Sequence, residues 1–179
     1  MKAIIQDRYG MPLEVLELAE TDTPEIADDE VRVRVSAASI HIGDCHGMRG
    51  VPYLMRPIFG LPKPKARIPG TDLAGTIEAV GKDVTSVKPG DEVFGSGKGA
   101  FAELAVADPA NLLPKPPELS FEEASAIGVS AMTALRGIRD EAKVQAGQKV
   151  LVNGASGGVG TYAVQVAREL GAEVTGVCS

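Results

Sequence analysis

The chain has 179 residues, a net charge of −6 and 44% hydrophobic side chains, and these values exclude several classes of protein. The acidic balance argues against a broad nucleic-acid-binding surface, which needs an excess of Lys and Arg. The two cysteines, Cys45 and Cys178, are too few and too isolated for a disulfide framework and fit a reducing, cytoplasmic setting. Neither a signal-peptide apolar region nor an apolar run of membrane-spanning length occurs. We therefore expect a cytoplasmic protein with neither nucleic acid nor membrane as a partner.

The first two thirds of the sequence have the pattern of a β-rich domain. Short runs that alternate apolar and polar residues, such as Val31–Val35, are separated by turn signals such as Lys88–Asp91. All twelve prolines lie at or before Pro117, so the architecture is expected to change near that point. The pattern predicts a small, irregular β-barrel or curled sheet over residues 1–119.

Helical signals follow this β-rich part. Ser120 and Glu123 can form a capping box, which predicts a helix that begins near Phe121. A second helical stretch is predicted at about Ala131–Glu141. We expect residues 120–147 to form linking helices.

The segment Lys149–Gly160 has the pattern of a buried strand that runs into a glycine-rich turn and then a helix. At such a junction the first backbone N–H groups of the helix have no intrahelical partners, and the helix dipole adds partial positive charge. Ala155, Gly157 and Gly160 match the A/G-x-G-x-x-G frame, in which small residues permit a tight turn and close approach of a pyrophosphate. The segment predicts dinucleotide binding, and the alternative is that the glycines only permit a tight turn.

The residues after this turn complete a strand–helix–strand unit. Glu173–Val177 is predicted to be the second strand, after a helix whose apolar positions share one face, namely Val159, Ala163, Val166, Ala167 and Leu170. A doubly wound domain needs further parallel strands. We therefore expect residues 148–179 to form an incomplete Rossmann domain, truncated after its second strand, in a fragment of a longer protein.

Several short motifs occur along the chain in a characteristic order. Besides the glycine frame, they are Ser36–Ile40 followed by Asp44, Pro69–Gly75, Val80–Gly81, Pro89–Gly95, Phe101–Glu103 and Thr133–Leu135. Together they resemble the medium-chain dehydrogenase/reductase superfamily, and specifically its zinc-independent, quinone-oxidoreductase-like branch, over nearly the whole chain. The resemblance implies a β-rich GroES-like domain followed by the start of an α/β Rossmann domain, with the active site in the cleft between the two domains.

The sequence departs from the zinc-dependent relatives at their metal ligands. Those relatives place a catalytic Cys where this chain has His41 and a His where it has Thr71, and they commonly carry a four-cysteine lobe that is absent here. The local cluster of His41, Asp44, Cys45 and His46 does not reproduce the spacing of that site, although a catalytic zinc needs three protein ligands in near-tetrahedral geometry. We expect no zinc, and we expect His46 to be a surface or packing residue.

Three residues are candidates for catalysis. Zinc-independent relatives often place Asn at the position of His41, facing the nicotinamide; an imidazole there would donate a hydrogen bond to a substrate carbonyl or deliver a proton, or else satisfy nearby backbone. Asp44 is interpreted as a residue that orients this loop, with general-acid work as the alternative. Tyr53 either supplies a phenol to the pocket or serves as a half-buried anchor.

The cofactor candidates lie in the second half of the chain. Thr133 resembles the family's threonine near the nicotinamide. The second strand ends in Gly176–Ser179 without the carboxylate that would bind the 2′-hydroxyl of NAD, so NADP is favoured over NAD, with Ser179 at the ribose end. The residues expected around the pyrophosphate are Ala155, Ser156, Gly157, Gly158, Val159 and Gly160.

The resemblance implies an NADPH-dependent oxidoreductase that transfers hydride to a quinone or an α,β-unsaturated carbonyl compound, and a homodimer when complete. Two alternatives remain open: a zinc-dependent alcohol dehydrogenase, and a non-catalytic nucleotide-binding or interaction protein of the same fold. The segment Cys45–Thr71 carries several Lys and Arg and no acidic residue. It is either a solvated loop or a basic rim that attracts an anionic cofactor or substrate.

Overall fold

The structure is a computed structural model that describes residues 1–178. The chain divides into two compact units, Met1–Ala126 and a second unit that begins at Ile127. Antiparallel strands dominate the first unit, whereas the second contains a parallel strand pair and its helices. The β-rich part and the start of an α/β domain are thus present in the predicted order.

The first unit contains a hairpin and a five-stranded antiparallel sheet. β1 pairs with β2 in the hairpin, and the larger sheet has the order β6-β3-β4-β5-β7. The strands are β1 (Lys2–Gln6), β2 (Leu16–Glu20), β3 (Val31–Ala38), β4 (Asp72–Val80), β5 (Glu92–Ser96), β6 (Leu104–Ala107) and β7 (Leu112–Pro114).

The predicted alternation in β3 is confirmed by its burial pattern. Val31 and Val33 are fully buried in the core of the large sheet, whereas Arg34 is exposed. The pairing of β3 with β4 is interrupted twice by register shifts, and an added Cβ at Gly75 of β4 would lie only 2.1 Å from the carbonyl oxygen of Arg34. Glycine therefore permits the two strands to approach closely where the irregular register bends the sheet.

Three short helices lie between strands of the first unit, and a fourth follows its last strand. They are α1 (Pro12–Val15), α2 (Ile42–Arg49), α3 (Arg56–Phe59) and α4 (Phe121–Ser125). The predicted capping box of α4 is confirmed, since the Ser120 N–H donates to Glu123 Oε2 at 2.9 Å and the Glu123 N–H donates to Ser120 Oγ at 3.1 Å. Of the predicted linking segment, α4 belongs to the first unit.

The second unit opens with α5 (Gly128–Leu135), which continues as a π-helix over Arg136–Glu141. The predicted start near residue 131 is wrong by three residues, and the predicted helix is not uniform. Ile127, the N-cap residue of α5, has an aliphatic side chain that cannot accept a hydrogen bond, so the sequence carries no capping motif that would mark this boundary.

The remainder of the second unit is the predicted strand–helix–strand. β8 (Lys149–Asn153), α6 (Gly158–Glu169) and β9 (Glu173–Val177) follow in order, and β8 and β9 pair in parallel. Ala163 and Ala167 are buried on the predicted apolar face of α6, whereas Val159 on its first turn is 41% exposed. None of the helices within residues 1–178 combines the length and apolar character that a bilayer crossing requires.

Candidate functional site

The turn between β8 and α6 is fixed by backbone hydrogen bonds. The N–H groups of Gly154 and Ala155 both donate to the carbonyl oxygen of Val177 at 2.9 Å, and the Gly157 N–H donates to the Gly154 carbonyl at 3.0 Å. Gly154 has a φ of +77°, which favours glycine. Sequence reasoning did not single out Gly154, although a glycine between a strand and the glycine frame is itself a signal of positive φ.

Two glycines of the frame have different physical roles. An added Cβ at Gly160 would lie 2.0 Å from the carbonyl oxygen of Gly154, so the close packing of α6 against the turn requires glycine there. At Gly157 the nearest atom to an added Cβ is the same oxygen at 3.4 Å, an ordinary contact. The protein's own packing does not demand glycine at position 157, and the space beside it is open.

The first turn of α6 offers hydrogen-bond donors to this open space. Gly157 is the N-cap and provides no side chain, and within residues 1–178 the N–H groups of Gly158, Val159 and Gly160 have no acceptor. Ser156, Gly157, Gly158 and Val159 are all exposed. Free N–H groups and the positive end of a 12-residue helix together fit the anionic part of a ligand.

Thr133 and Ser179 are the two further cofactor candidates, and the structure describes only Thr133. Thr133 lies on α5, exposed, with its hydroxyl donating to the carbonyl oxygen of Val129 at 2.6 Å. The hydroxyl oxygen keeps its lone pairs for a ligand. Ser179 lies outside the described residues.

In the first unit, His41 and Asp44 form a reciprocal cap at the start of α2. His41 Nδ1 accepts from the Gly43 N–H at 3.0 Å, and the His41 N–H donates to Asp44 Oδ2 at 3.0 Å. The Asp44 N–H in turn donates to the His41 carbonyl at 3.1 Å. These contacts satisfy backbone donors that a helix start leaves open.

The cap also assigns the tautomer of His41. Because Nδ1 accepts a hydrogen bond, the neutral imidazole carries its proton on Nε2. Nε2 is buried and has no hydrogen-bond partner among residues 1–178, and it lies 3.6 Å from Asp44 Oδ2, beyond normal hydrogen-bond distance. One imidazole nitrogen is thus used by the fold, and the other remains a donor.

Asp44 lines a cavity of about 770 Å³ in the first unit. Thr71, at the position of the family's zinc-binding His, lines the same cavity. Other residues of the Cys45–Thr71 segment also line it, among them Met48, Phe59, Lys65 and Arg67. Lys98 at the cavity wall pairs with Glu30 at 2.7 Å, and this hydrogen bond, together with one from the Ala27 N–H, lowers the pKa of the Glu30 carboxyl.

Tyr53 does not line that cavity. It lies in a 3₁₀ turn (Tyr53–Met55) and is 71% exposed, so the expectation of a half-buried anchor is wrong. The guanidinium of Arg56 covers its ring at 4.6 Å and also covers the ring of Tyr9 at 4.7 Å, while Arg56 Nε donates to the Gly50 carbonyl at 3.1 Å. Tyr53 thus packs on a cation at the surface instead of on the core.

The local cluster around α2 does not assemble as a metal site. Among residues 1–178, no three His, Cys, Asp or Glu side chains lie close enough together to hold a metal ion. His41 Nδ1 is already hydrogen-bonded, and Cys45 lines a different, largely apolar groove that includes Ile40 and Phe101. His46 lies in the last turn of α2, half-buried.

Known proteins match both parts of the chain. The alcohol dehydrogenase GroES-like domain family matches residues 27–117. Quinone oxidoreductase from Homo sapiens is 38% identical over 179 residues, which cover 98% of this chain and 52% of that protein. The Escherichia coli quinone oxidoreductase complexed with NADPH superposes with a TM-score of 0.87 at 27% identity, covering 99% of this chain and 52% of that one. The CurK enoyl reductase superposes with a TM-score of 0.87 at 28% identity, covering 98% and 54%.

A β-rich domain followed by a strand, a glycine turn and a helix is the arrangement of a GroES-like domain that leads into the start of a Rossmann domain. The chain belongs to the medium-chain dehydrogenase/reductase superfamily, in which its relatives are quinone oxidoreductases. The chain spans about half the length of the quinone oxidoreductases it matches.

Proposed function

We propose that the complete protein that carries this chain is an NADPH-dependent reductase of quinones or α,β-unsaturated carbonyl compounds. The observation that carries the proposal is the start of α6, where the N–H groups of Gly158, Val159 and Gly160 have no acceptor within residues 1–178, and Gly158 and Val159 are exposed beside the uncrowded Gly157. A pyrophosphate matches those donors in charge and in hydrogen bonding. The names of the relatives, quinone oxidoreductase and enoyl reductase, support an electrophile conjugated to a carbonyl group.

The preference for NADPH over NADH rests on two observations. The described end of β9, Gly176 to Cys178, offers no carboxylate to bind a ribose 2′-hydroxyl or to repel a 2′-phosphate. The Escherichia coli relative is complexed with NADPH. In this proposal Ala155 to Gly160 surround the pyrophosphate, Thr133 lies near the nicotinamide and Ser179 lies at the ribose end.

The chemistry needs a hydride acceptor whose oxygen can take up negative charge. When bound, NADPH supplies a hydride to the electrophilic carbon of the substrate. The electron pair of the reduced bond moves to the substrate oxygen, and a hydrogen bond there stabilises it. His41 Nε2–H is the proposed donor, Asp44 holds the backbone of His41 by capping the same helix, and the exposed phenol of Tyr53 is a candidate proton source.

This proposal includes a reaction without zinc. A catalytic zinc needs three protein ligands, whereas His41 Nδ1 is engaged by the Gly43 N–H and Thr71 replaces a stronger ligand. Elemental analysis of the purified protein tests it. About one zinc per chain, with activity lost to a chelator and restored by zinc, would instead favour the alcohol dehydrogenase alternative.

We further propose that the enzyme is cytoplasmic, forms a homodimer when complete and takes a small carbonyl or quinone substrate without a nucleic-acid or membrane partner. The isolated cysteines and the net charge of −6 support the compartment and the absence of a nucleic-acid partner. Fractionation and sedimentation of the complete protein test location and dimer formation.

The decisive experiment is a panel of quinones and enones assayed with NADPH and with NADH, combined with titration of each cofactor. We expect turnover of at least one compound class and tighter binding of NADPH. Equal affinity for the two cofactors would contradict the NADPH preference. Cofactor binding without turnover of any compound would instead favour the non-catalytic alternative.

A further inference from the structure

Ser130, on α5, lies against the start of α6. An added Cβ at Gly158 would be 3.0 Å from Ser130 Oγ, tighter than ordinary contact. Both residues belong to the second compact unit, in which α5 and α6 pack together. A side chain at position 158 would therefore require the Ser130 hydroxyl to move by a few tenths of an ångström.

The direction of this contact matters. In a helix each Cα–Cβ bond points towards the N-terminus, so the position of a Cβ at Gly158 lies on the N-terminal side of the first turn of α6. The Ser130 hydroxyl lies 3.0 Å from that position, beside the first residue of α6, whose N–H group is one of the three without an acceptor among residues 1–178.

The Ser130 hydroxyl is free to bind there. The residue is half-buried, and within the part of the chain that the structure describes its hydroxyl has no hydrogen-bond partner. The neighbouring helical hydroxyls differ: Thr133 donates to Val129 and Thr161 donates to the Gly158 carbonyl at 3.0 Å. A half-buried hydroxyl without a partner gains more from a ligand than one already bonded to its own helix.

We infer that Ser130 Oγ–H donates a hydrogen bond to a pyrophosphate oxygen of the dinucleotide, beside the N–H groups of α6. The inference rests on the proposed function, since it adds a residue to that cofactor site. A hydrogen bond to a charged oxygen is stronger than one between neutral groups, so its loss is expected to raise the dissociation constant about tenfold.

The test measures NADPH and NADH binding to the full-length protein with Ser130→Ala. Both cofactors contain the pyrophosphate, so the dissociation constants of both should rise by the same factor, about tenfold. Thr161→Ala is the matched control, because it removes an exposed hydroxyl of α6 that is already satisfied. Ser130→Cys keeps the size of the side chain but has a weak donor, and it should bind like Ser130→Ala.

The outcomes separate the two claims. Wild-type protein that binds neither cofactor overturns the proposed function. Wild-type binding that Ser130→Ala leaves unchanged, or that Thr161→Ala weakens equally, overturns only the role of Ser130. Should Ser130→Ala fail to fold in a thermal melt, Ser130→Cys decides, and binding by this variant equal to wild type overturns the inference.

Discussion

At the scale of single residues, two glycines of the glycine frame are required for different reasons, one by the packing of the protein and the other by a ligand. Gly160 is required by the protein itself, because a Cβ would meet backbone that cannot move aside. Gly157 has room for a methyl group, so any requirement for glycine there comes from a ligand. A substitution at Gly157 should therefore change cofactor affinity, whereas a substitution at Gly160 should change the stability of the second unit.

Gly157→Asp is expected to weaken NADPH binding at least about tenfold, because a carboxylate would repel a pyrophosphate at the helix start. Cofactor titration measures the loss, and a thermal melt should show that the N-terminal unit still folds. Gly157→Ala is the matched control: with its nearest contact at 3.4 Å, it should fold normally and lose much less affinity. Unchanged affinity in Gly157→Asp would mean that the frame only forms a turn.

Gly160→Ala is expected to destabilise the second unit by more than about 2 kcal/mol, because the new methyl group would overlap the Gly154 carbonyl. Denaturant unfolding followed by circular dichroism measures this. Gly137→Ala, in the π-helix, is the control and should be neutral or slightly stabilising, because an added Cβ there meets no atom of the described residues within 4 Å. Equal stabilities of the two variants would refute the packing argument.

At the scale of the elements, the start of α2 combines a structural and a proposed chemical role in one imidazole. Its Nδ1 caps the helix, and its Nε2 is the donor that the proposed reaction uses. A substitution that restores only the cap separates the two roles.

His41→Ser should keep the cap of α2, since Ser is a favoured N-cap, while it removes the imidazole donor; His41→Ala should lose both. We expect His41→Ala to lose about 1 kcal/mol of stability relative to His41→Ser. Both variants should lose a factor of about 100 or more in kcat for enone or quinone reduction. Full activity in His41→Ser would show that His41 serves the helix alone.

The elements also show why sequence reasoning succeeded in some places and failed in others. The capping box of α4 and the β8–α6 turn were predictable because their signals are local in the sequence. The start of α5 lacks such a signal. The surface position of Tyr53 involves Arg56, which also covers the ring of Tyr9, and this contact between distant parts of the chain leaves no local signal in the sequence. Ser130 was missed for the same reason: its place against Gly158 follows from helix packing, for which neither residue carries a motif.

At the scale of the molecule, the two units differ in the size of their buried core. The first has a large cluster of buried side chains that includes Val31, Val33 and Leu73. In the second, the buried cluster consists of the smaller set Ala134, Val152 and Ala163. The second unit is thus the less protected part of this chain.

Limited proteolysis of the 179-residue chain should therefore cut more readily after about Glu118 than before it, as mass spectrometry of early fragments would show. The same chain should have negligible NADPH-dependent reductase activity, because two strands do not make the multi-stranded parallel sheet on which a doubly wound site is built. Uniform cleavage along the chain, or robust turnover by a homogeneous preparation, would contradict these expectations.

The stacking of Arg56 between two tyrosine rings has a spectroscopic consequence. The chain has three tyrosines and no tryptophan, so its near-ultraviolet absorption and intrinsic emission come mainly from tyrosine. Two of these three chromophores, Tyr9 and Tyr53, share one guanidinium in the first unit, and the third, Tyr162, lies on α6. Near-ultraviolet circular dichroism of this chain will therefore report chiefly on the loop around Arg56, and Arg56→Lys will change that spectrum while the far-ultraviolet spectrum of the sheet stays the same.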